Sequence, residues 1–92
     1  MLKVVTTASY RKSLRKLNKS GKFDLEELND IVICLCNGKK LSGEYRDHFL
    51  VGVWSGCREC HIKPDLLLIY KVEKDILFLL LADIGSHSEL FG

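Results

Sequence analysis

Apolar residues change their spacing about halfway along the chain. In the first half they recur at helical intervals. Within Ala8–Ser20, Tyr10, Leu14 and Leu17 fall at i, i+4 and i+7, on one side of a helix. Thr7 precedes this segment as an N-cap, and Gly21 follows where a C-cap belongs. A second stripe, Leu25, Leu28, Ile31, Val32, Leu35 and Cys36, predicts another amphipathic helix. Asp24 with Glu27 forms a capping-box-like start, Phe23 and Leu28 suit a hydrophobic staple, and Asn37-Gly38 ends the segment.

The rest reads as strand and loop. Lys3–Thr6 is a short β-prone start, and residues 39–56 are loop-rich, with a short strand expected around residues 49–53. From residue 57 three strands follow, at 57–63, 66–72 and 76–84, with Pro64-Asp65 and Glu73-Lys74-Asp75 at the turns. The near-continuous apolar runs at 66–70 and 76–82 suit strands covered on much of both faces. The order is β-α-α-β-β-β, an α+β fold with two helices on one face of a mainly antiparallel sheet. Ninety-two residues without repeat or linker imply a single domain over 1–92.

Composition agrees with a packed domain: the chain is 47% hydrophobic, with only one Pro and seven Gly. No segment approaches the roughly 18 consecutive apolar residues of a membrane span. The N-terminus lacks a secretory layout, so the expected location is cytoplasmic, with four reduced cysteines and no membrane partner. The net charge of +2 is unevenly spread. Residues 1–22 carry seven basic side chains (Lys3, Arg11, Lys12, Arg15, Lys16, Lys19, Lys22) and no acid. Such a block suits a polyanion or an acidic protein partner, or simply a solvated helix face.

Candidate chemistry lies in the C-terminal half. His48, His61 and His87 are all there, and Asp65 follows His61 by four residues. Imidazoles titrate near ~6.5 and exchange protons at cellular pH. Cleavage of RNA by its own 2′-hydroxyl needs a base, an acid and a cation against the phosphate, and no metal. Each histidine, taken singly, also reads as an ordinary polar residue of a turn, strand or chain end. Cys57-Arg58-Glu59-Cys60-His61 matches the C-x-x-C-H haem attachment pattern, but no export signal or second Met supports it. Cys34 and Cys36 would lie about 200° apart on a helix, and Cys57 and Cys60 on opposite faces of a strand, which disfavours zinc. The cysteines therefore read as packing residues, with no metal and no cofactor expected. Trp54, framed by Gly52 and Gly56, suits either packing or stacking on a base.

Taken together, certain words are recognisable: Tyr45-Arg46-Asp47-His48, Gly52-x-Trp54-x-Gly56, Arg58-Glu59-x-His61-x-Lys63-Pro64-Asp65, Leu68-Ile69-Tyr70-Lys71 and Gly85-Ser86-His87-Ser88-x-Leu90-Phe91. Over residues 45–91 the chain resembles the YafQ branch of the RelE/ParE toxin superfamily. The resemblance implies a RelE-like fold and a ribosome-dependent mRNA interferase, a metal-independent endoribonuclease acting on mRNA on the ribosome. It also implies a small cognate antitoxin of ribbon-helix-helix type, through which alone operator DNA would be contacted. By matching motif it puts His48, His61, Asp65 and His87 at acid–base positions, with Asp65 or His61 as base and His87 as acid. Phe91 falls on the terminal aromatic that positions substrate; Lys63, Arg58 and Lys71 are candidates for phosphate contacts.

Two positions depart from the family pattern. Leu66 stands where members often have Trp, and Asp83 where many have Arg; a carboxylate there would oppose phosphate charge. The alternative is a non-nucleolytic ParE-like protein, or an inactive relative acting through protein contacts. A plain RNA-binding module using the basic first helix is the third.

Overall fold

A computed structural model describes every residue but Lys22, so that member of the basic block lies outside the described residues. Strand β1 spans Lys3–Thr6, helix α1 Ala8–Ser20 and helix α2 Leu25–Cys36. Strand β2 is His48–Phe49, β3 Arg58–Lys63, β4 Leu66–Glu73 and β5 Phe78–Gly85; a short helix, α3, closes the chain at His87–Phe91.

The caps act where the sequence puts them. Thr7 Oγ1 accepts the Tyr10 N–H at 2.9 Å, and Gly21 ends α1 in the left-handed conformation at φ 72°. Asp24 accepts the Glu27 N–H at 3.2 Å. The box expected at α2 stays open on its other side, because the Glu27 carboxylate pairs with Lys63 at 2.9 Å instead. A full capping box forms at α3, where Ser86 accepts the Glu89 N–H and the Glu89 carboxylate accepts that of Ser86.

The five strands lie in the order β1-β5-β4-β3-β2, all antiparallel except the β1–β5 pair. At Thr7 the chain leaves the sheet: its N–H bonds the Leu81 carbonyl and its hydroxyl the Ala82 carbonyl, so α1 begins against β5. The helix-side face of the sheet carries Cys60, Ile62, Leu68, Tyr70, Leu79, Leu81 and Ile84, packed with Tyr10, Leu28, Ile31 and Leu35 from the two helical stripes. Each fully buried Leu or Ile in this layer stabilises by about 1.5–3 kcal/mol. Leu67 and Ile69 point the other way and are fully buried as well, as the continuous apolar run in β4 predicts.

Several boundaries differ from the sequence reading; β4 and β5 each run one residue further, to Glu73 and Gly85. The strand expected at 49–53 is only His48–Phe49; Gly52, at φ 72°, turns the chain into a 3-10 turn at Gly52–Trp54. The third strand starts at Arg58 because the Cys57 N–H is spent closing that turn on the Trp54 carbonyl. Ile76 and Leu77, counted with the last strand for their hydrophobicity, belong to the turn before it, and Leu77 has φ 54°. Hydrophobicity alone does not separate a strand end from an apolar turn.

Candidate active site

Register determines which polar side chains share the face of the sheet away from α2. His48 on β2 is opposite Glu59 on β3, Glu59 opposite Ile69 on β4, and Ile69 opposite Asp83 on β5. One step along, His61 is opposite Leu67 and Leu67 opposite Gly85. Residues two apart in a strand share a face, so His61 joins Glu59 and approaches His48 on the diagonal. The His48 and His61 ring centroids are 6.2 Å apart. His87, the first residue of α3, enters from beyond Gly85, 5.7 Å from the His61 ring, and Phe91 lies one helical turn on, 6.0 Å from His87.

Each imidazole is held by a different acceptor. His61 Nε2 lies 3.0 Å from the Glu59 carboxylate, which is only 3% exposed. His87 Nδ1 lies 3.1 Å from Asp65, and the same carboxylate oxygen accepts the His87 backbone N–H at 3.0 Å. His48 Nδ1 lies 2.7 Å from the Arg46 carbonyl. Carboxylate and carbonyl oxygens only accept, so the facing nitrogen must carry the hydrogen in each case. Among the described residues, Nδ1 of His61 and Nε2 of His87 and His48 have no bonded partner. Opposite tautomers are therefore imposed on two rings less than 6 Å apart.

Asp65 reaches His87 because Pro64-Asp65 forms the β3–β4 turn at the same end of the sheet as the α3 N-terminus. The His87 backbone N–H, then its ring N–H, hold the Asp65 carboxyl below the usual aspartate range. Asp65 is thus a weak proton acceptor and an anchor for the ring. A cleft of about 280 Å³ opens beside His61, lined by Tyr45, Arg46, Lys63 and Pro64 among others.

The other candidates are differently placed. Lys63 borders this cleft with its ammonium on Glu27, a bond that raises the lysine's pKa. Lys71 shares the histidine face but lies four residues along β4 from Leu67, roughly 13 Å away at strand rise, and pairs with Glu73 at 2.8 Å. Arg58 points to the helix side with Cys60 and Ile62, bonded to Asp47 at 2.9 Å. Trp54 is half-buried in its 3-10 turn and makes no ring contact with the cluster among the described residues. Sequence reasoning missed Glu59. Its signal was available: an acid two residues before a histidine in a strand must share its face.

Asp83 also acquires a definite environment. Its carboxylate accepts hydrogen bonds from Ser9 Oγ at 2.8 Å, Ser13 Oγ at 2.9 Å and the Ile84 N–H at 2.8 Å. It fastens α1 to β5.

Glu59, His61 and His87 also each offer a ligand atom within 4.8 Å of the others, a spacing that fits one metal ion. Two imidazoles and a carboxylate suit zinc, copper or nickel.

A sheet backed by two helices is an architecture that this chain shares with solved structures of small bacterial toxins. A metal-bound toxin from Helicobacter pylori is 44% identical, with a TM-score of 0.92, over 99% of this chain and all of that one. The toxin in the Escherichia coli DinJ-YafQ complex is 30% identical, with a TM-score of 0.86, over the full length of both. The mRNA interferase toxin YafQ of Escherichia coli strain K12 is 34% identical over 87 residues, 94% of this chain and 91% of that protein. The family model for the YafQ bacterial toxin of type II toxin–antitoxin systems matches residues 2–92, and the chain belongs to that family.

Proposed function

We propose that this protein is a ribosome-dependent mRNA endoribonuclease that cleaves by the RNA's own 2′-hydroxyl, using histidines without a metal. One observation carries the reading: His61 and His87, 5.7 Å apart, are held by separate carboxylates in opposite tautomers. His61 Nδ1 takes the 2′-hydroxyl proton, O2′ bonds to phosphorus, and the P–O5′ bond breaks. Protonated His87 gives its Nε2 proton to the departing O5′, leaving a 2′,3′-cyclic phosphate. Between Asp65 and His61 as base, the lowered Asp65 pKa supports His61, since a base works best with a pKa near the operating pH. His48 supplies a third imidazole, and Phe91 a half-exposed ring for a base beside His87. Lys63, at the cleft rim, is the nearest lysine candidate for the phosphate. A cognate antitoxin is the regulating partner, by analogy with the DinJ-YafQ complex, and ribbon-helix-helix type is the expectation for its DNA-contacting part.

A second reading rests on the Glu59, His61 and His87 ligand set and the metal-bound relative. An ion there would occupy the groups proposed for proton transfer and inhibit cleavage. The test uses purified protein and mRNA programmed on ribosomes. Cuts ending in 2′,3′-cyclic phosphate, abolished by a 2′-deoxy nucleotide at the cut or by His87→Ala, are expected, and added zinc should slow them. Cleavage of the deoxy substrate, or acceleration by zinc, would overturn the metal-free mechanism.

A further inference from the structure

The helix side of the sheet holds a second concavity that the nuclease reading does not use. This groove of about 690 Å³ runs between the C-terminal end of α2 with residues 38–41 and the edge formed by β2, β3 and β4. Its floor is apolar, with Leu35, Leu41, Phe49 and Val72, and Phe49 is 68% exposed. Its rim carries Lys39, Lys40 and Lys74, all exposed, none in an ion pair among the described residues. By contrast, Arg58, Lys63 and Lys71 are already committed to carboxylates. Of the two acids lining the groove, Asp47 is paired with Arg58 and also accepts the Tyr70 hydroxyl, leaving Asp75 against three lysines.

We propose that this groove binds an acidic peptide segment with apolar side chains, contributed by the antitoxin; this rests on the toxin–antitoxin reading above. Charge complementarity selects an acidic occupant, and the apolar floor selects a peptide over a nucleic acid backbone, which has no side chains to bury there. One face of Phe49 is already covered by the Arg58 guanidinium, 4.4 Å from the ring centroid, which limits base stacking. Tyr70 and Val72 face the helices, whereas Leu67 and His61 face away, so an occupant of the groove leaves the histidines open. The segment is therefore an anchor. It raises the local concentration of the rest of the antitoxin, and inhibition comes from a different part of that partner.

The test is a nuclear magnetic resonance titration of the ¹⁵N-labelled protein with a short peptide alternating Leu and Glu. Its Leu-Lys counterpart and a short oligouridylate serve as comparisons. The acidic peptide should shift the amides of Lys39, Lys40, Phe49 and Lys74 and leave those of His61 and His87 in place. K39E/K40E/K74E should weaken binding by about tenfold or more, with a steep salt dependence in the parent. Phe49→Ser, at an exposed position, tests the apolar half separately should the triple variant fail to fold. Shifts centred on the histidines, equal binding of the Lys peptide, unchanged binding by the variants, or groove shifts caused by the uridylate alone would each overturn the proposal. Ribosomal cleavage is assayed alongside: the peptide should not inhibit it, and the lysine variant should cut like the parent. A parent that binds peptide but cuts nothing defeats the nuclease reading and leaves the groove standing.

Discussion

Glu59 offers the sharpest test of the site, because its carboxylate is almost wholly buried and its bond is to the imidazole of His61 at 3.0 Å. Glu59→Ala would leave the His61 Nε2–H without an acceptor in a half-buried place. Stranding such a donor costs about 1–3 kcal/mol. A domain of 92 residues has about 5–14 kcal/mol of stability, so the variant stays folded and its melting point falls by about 4–8 °C per kcal/mol. The effect on cleavage has a separate ceiling. If Glu59 acts only by fixing the His61 tautomer, its loss cannot exceed the base's own contribution, roughly 10²–10⁴-fold. Glu59→Gln should do much less harm. Its amide oxygen still accepts from Nε2, through a neutral bond about 1 kcal/mol weaker, which corresponds to about fivefold in rate.

The assay is a double-mutant cycle on single-turnover cleavage of ribosome-bound mRNA, with urea unfolding of each variant in parallel. Glu59→Ala should slow the parent strongly and add nothing in a His61→Ala background. Independent, multiplicative losses would refute the idea that Glu59 works through His61. Equal damage from Ala and Gln would refute the tautomer argument in particular, because it would show that the charge itself is what matters.

Asp83→Ala removes the acceptor for Ser9 and Ser13 and should destabilise by about 1–3 kcal/mol, read by urea unfolding, whereas Asp83→Arg should lose as much and gain no cleavage. Faster cutting by the arginine variant would show that a cation is wanted there after all. Asp65 predicts an acid-labile α3. Its carboxyl is held below the ordinary aspartate value of 3.8, so its contribution is complete above that value and disappears as pH falls through the lowered native one. The His87 amide resonance should move over that acid range in the parent and stay put in Asp65→Asn.

The features legible in the sequence are those fixed within a few residues. Thr7, Asp24 and Gly21 cap helices because capping is settled over three or four positions, and the stripes of α1 and α2 meet the sheet because period alone decides which side faces inward. Strand ends were less legible. Ile76 and Leu77 are as apolar as the residues of β5, and only the turn's demand for a positive φ at Leu77 excludes them. Partner choice was least legible of all. Glu27, read as closing its own helix cap, reaches Lys63 thirty-six positions on, at the end of β3.

The same distinction resolves the conflict posed by Asp83. As a letter in a family word, an acid where a cation is common argues against handling phosphate. An acid opposes phosphate only where its side chain points at the phosphate. In the fold, α1 takes up position against β5 after β1 ends at Thr6, and this brings two hydroxyls, Ser9 and Ser13, within 2.9 Å of the carboxylate. Both serines lie on the side of α1 that the Tyr10–Leu14–Leu17 stripe leaves free, four residues apart, and an arginine would find only hydroxyl partners there in place of an acid. Asp83, Ser9 and Ser13 therefore form one structural unit. The negative charge is consumed in joining helix to sheet, and under the mechanism proposed above the cation for the phosphate would come from Lys63 or Arg46, which line the cleft with His61.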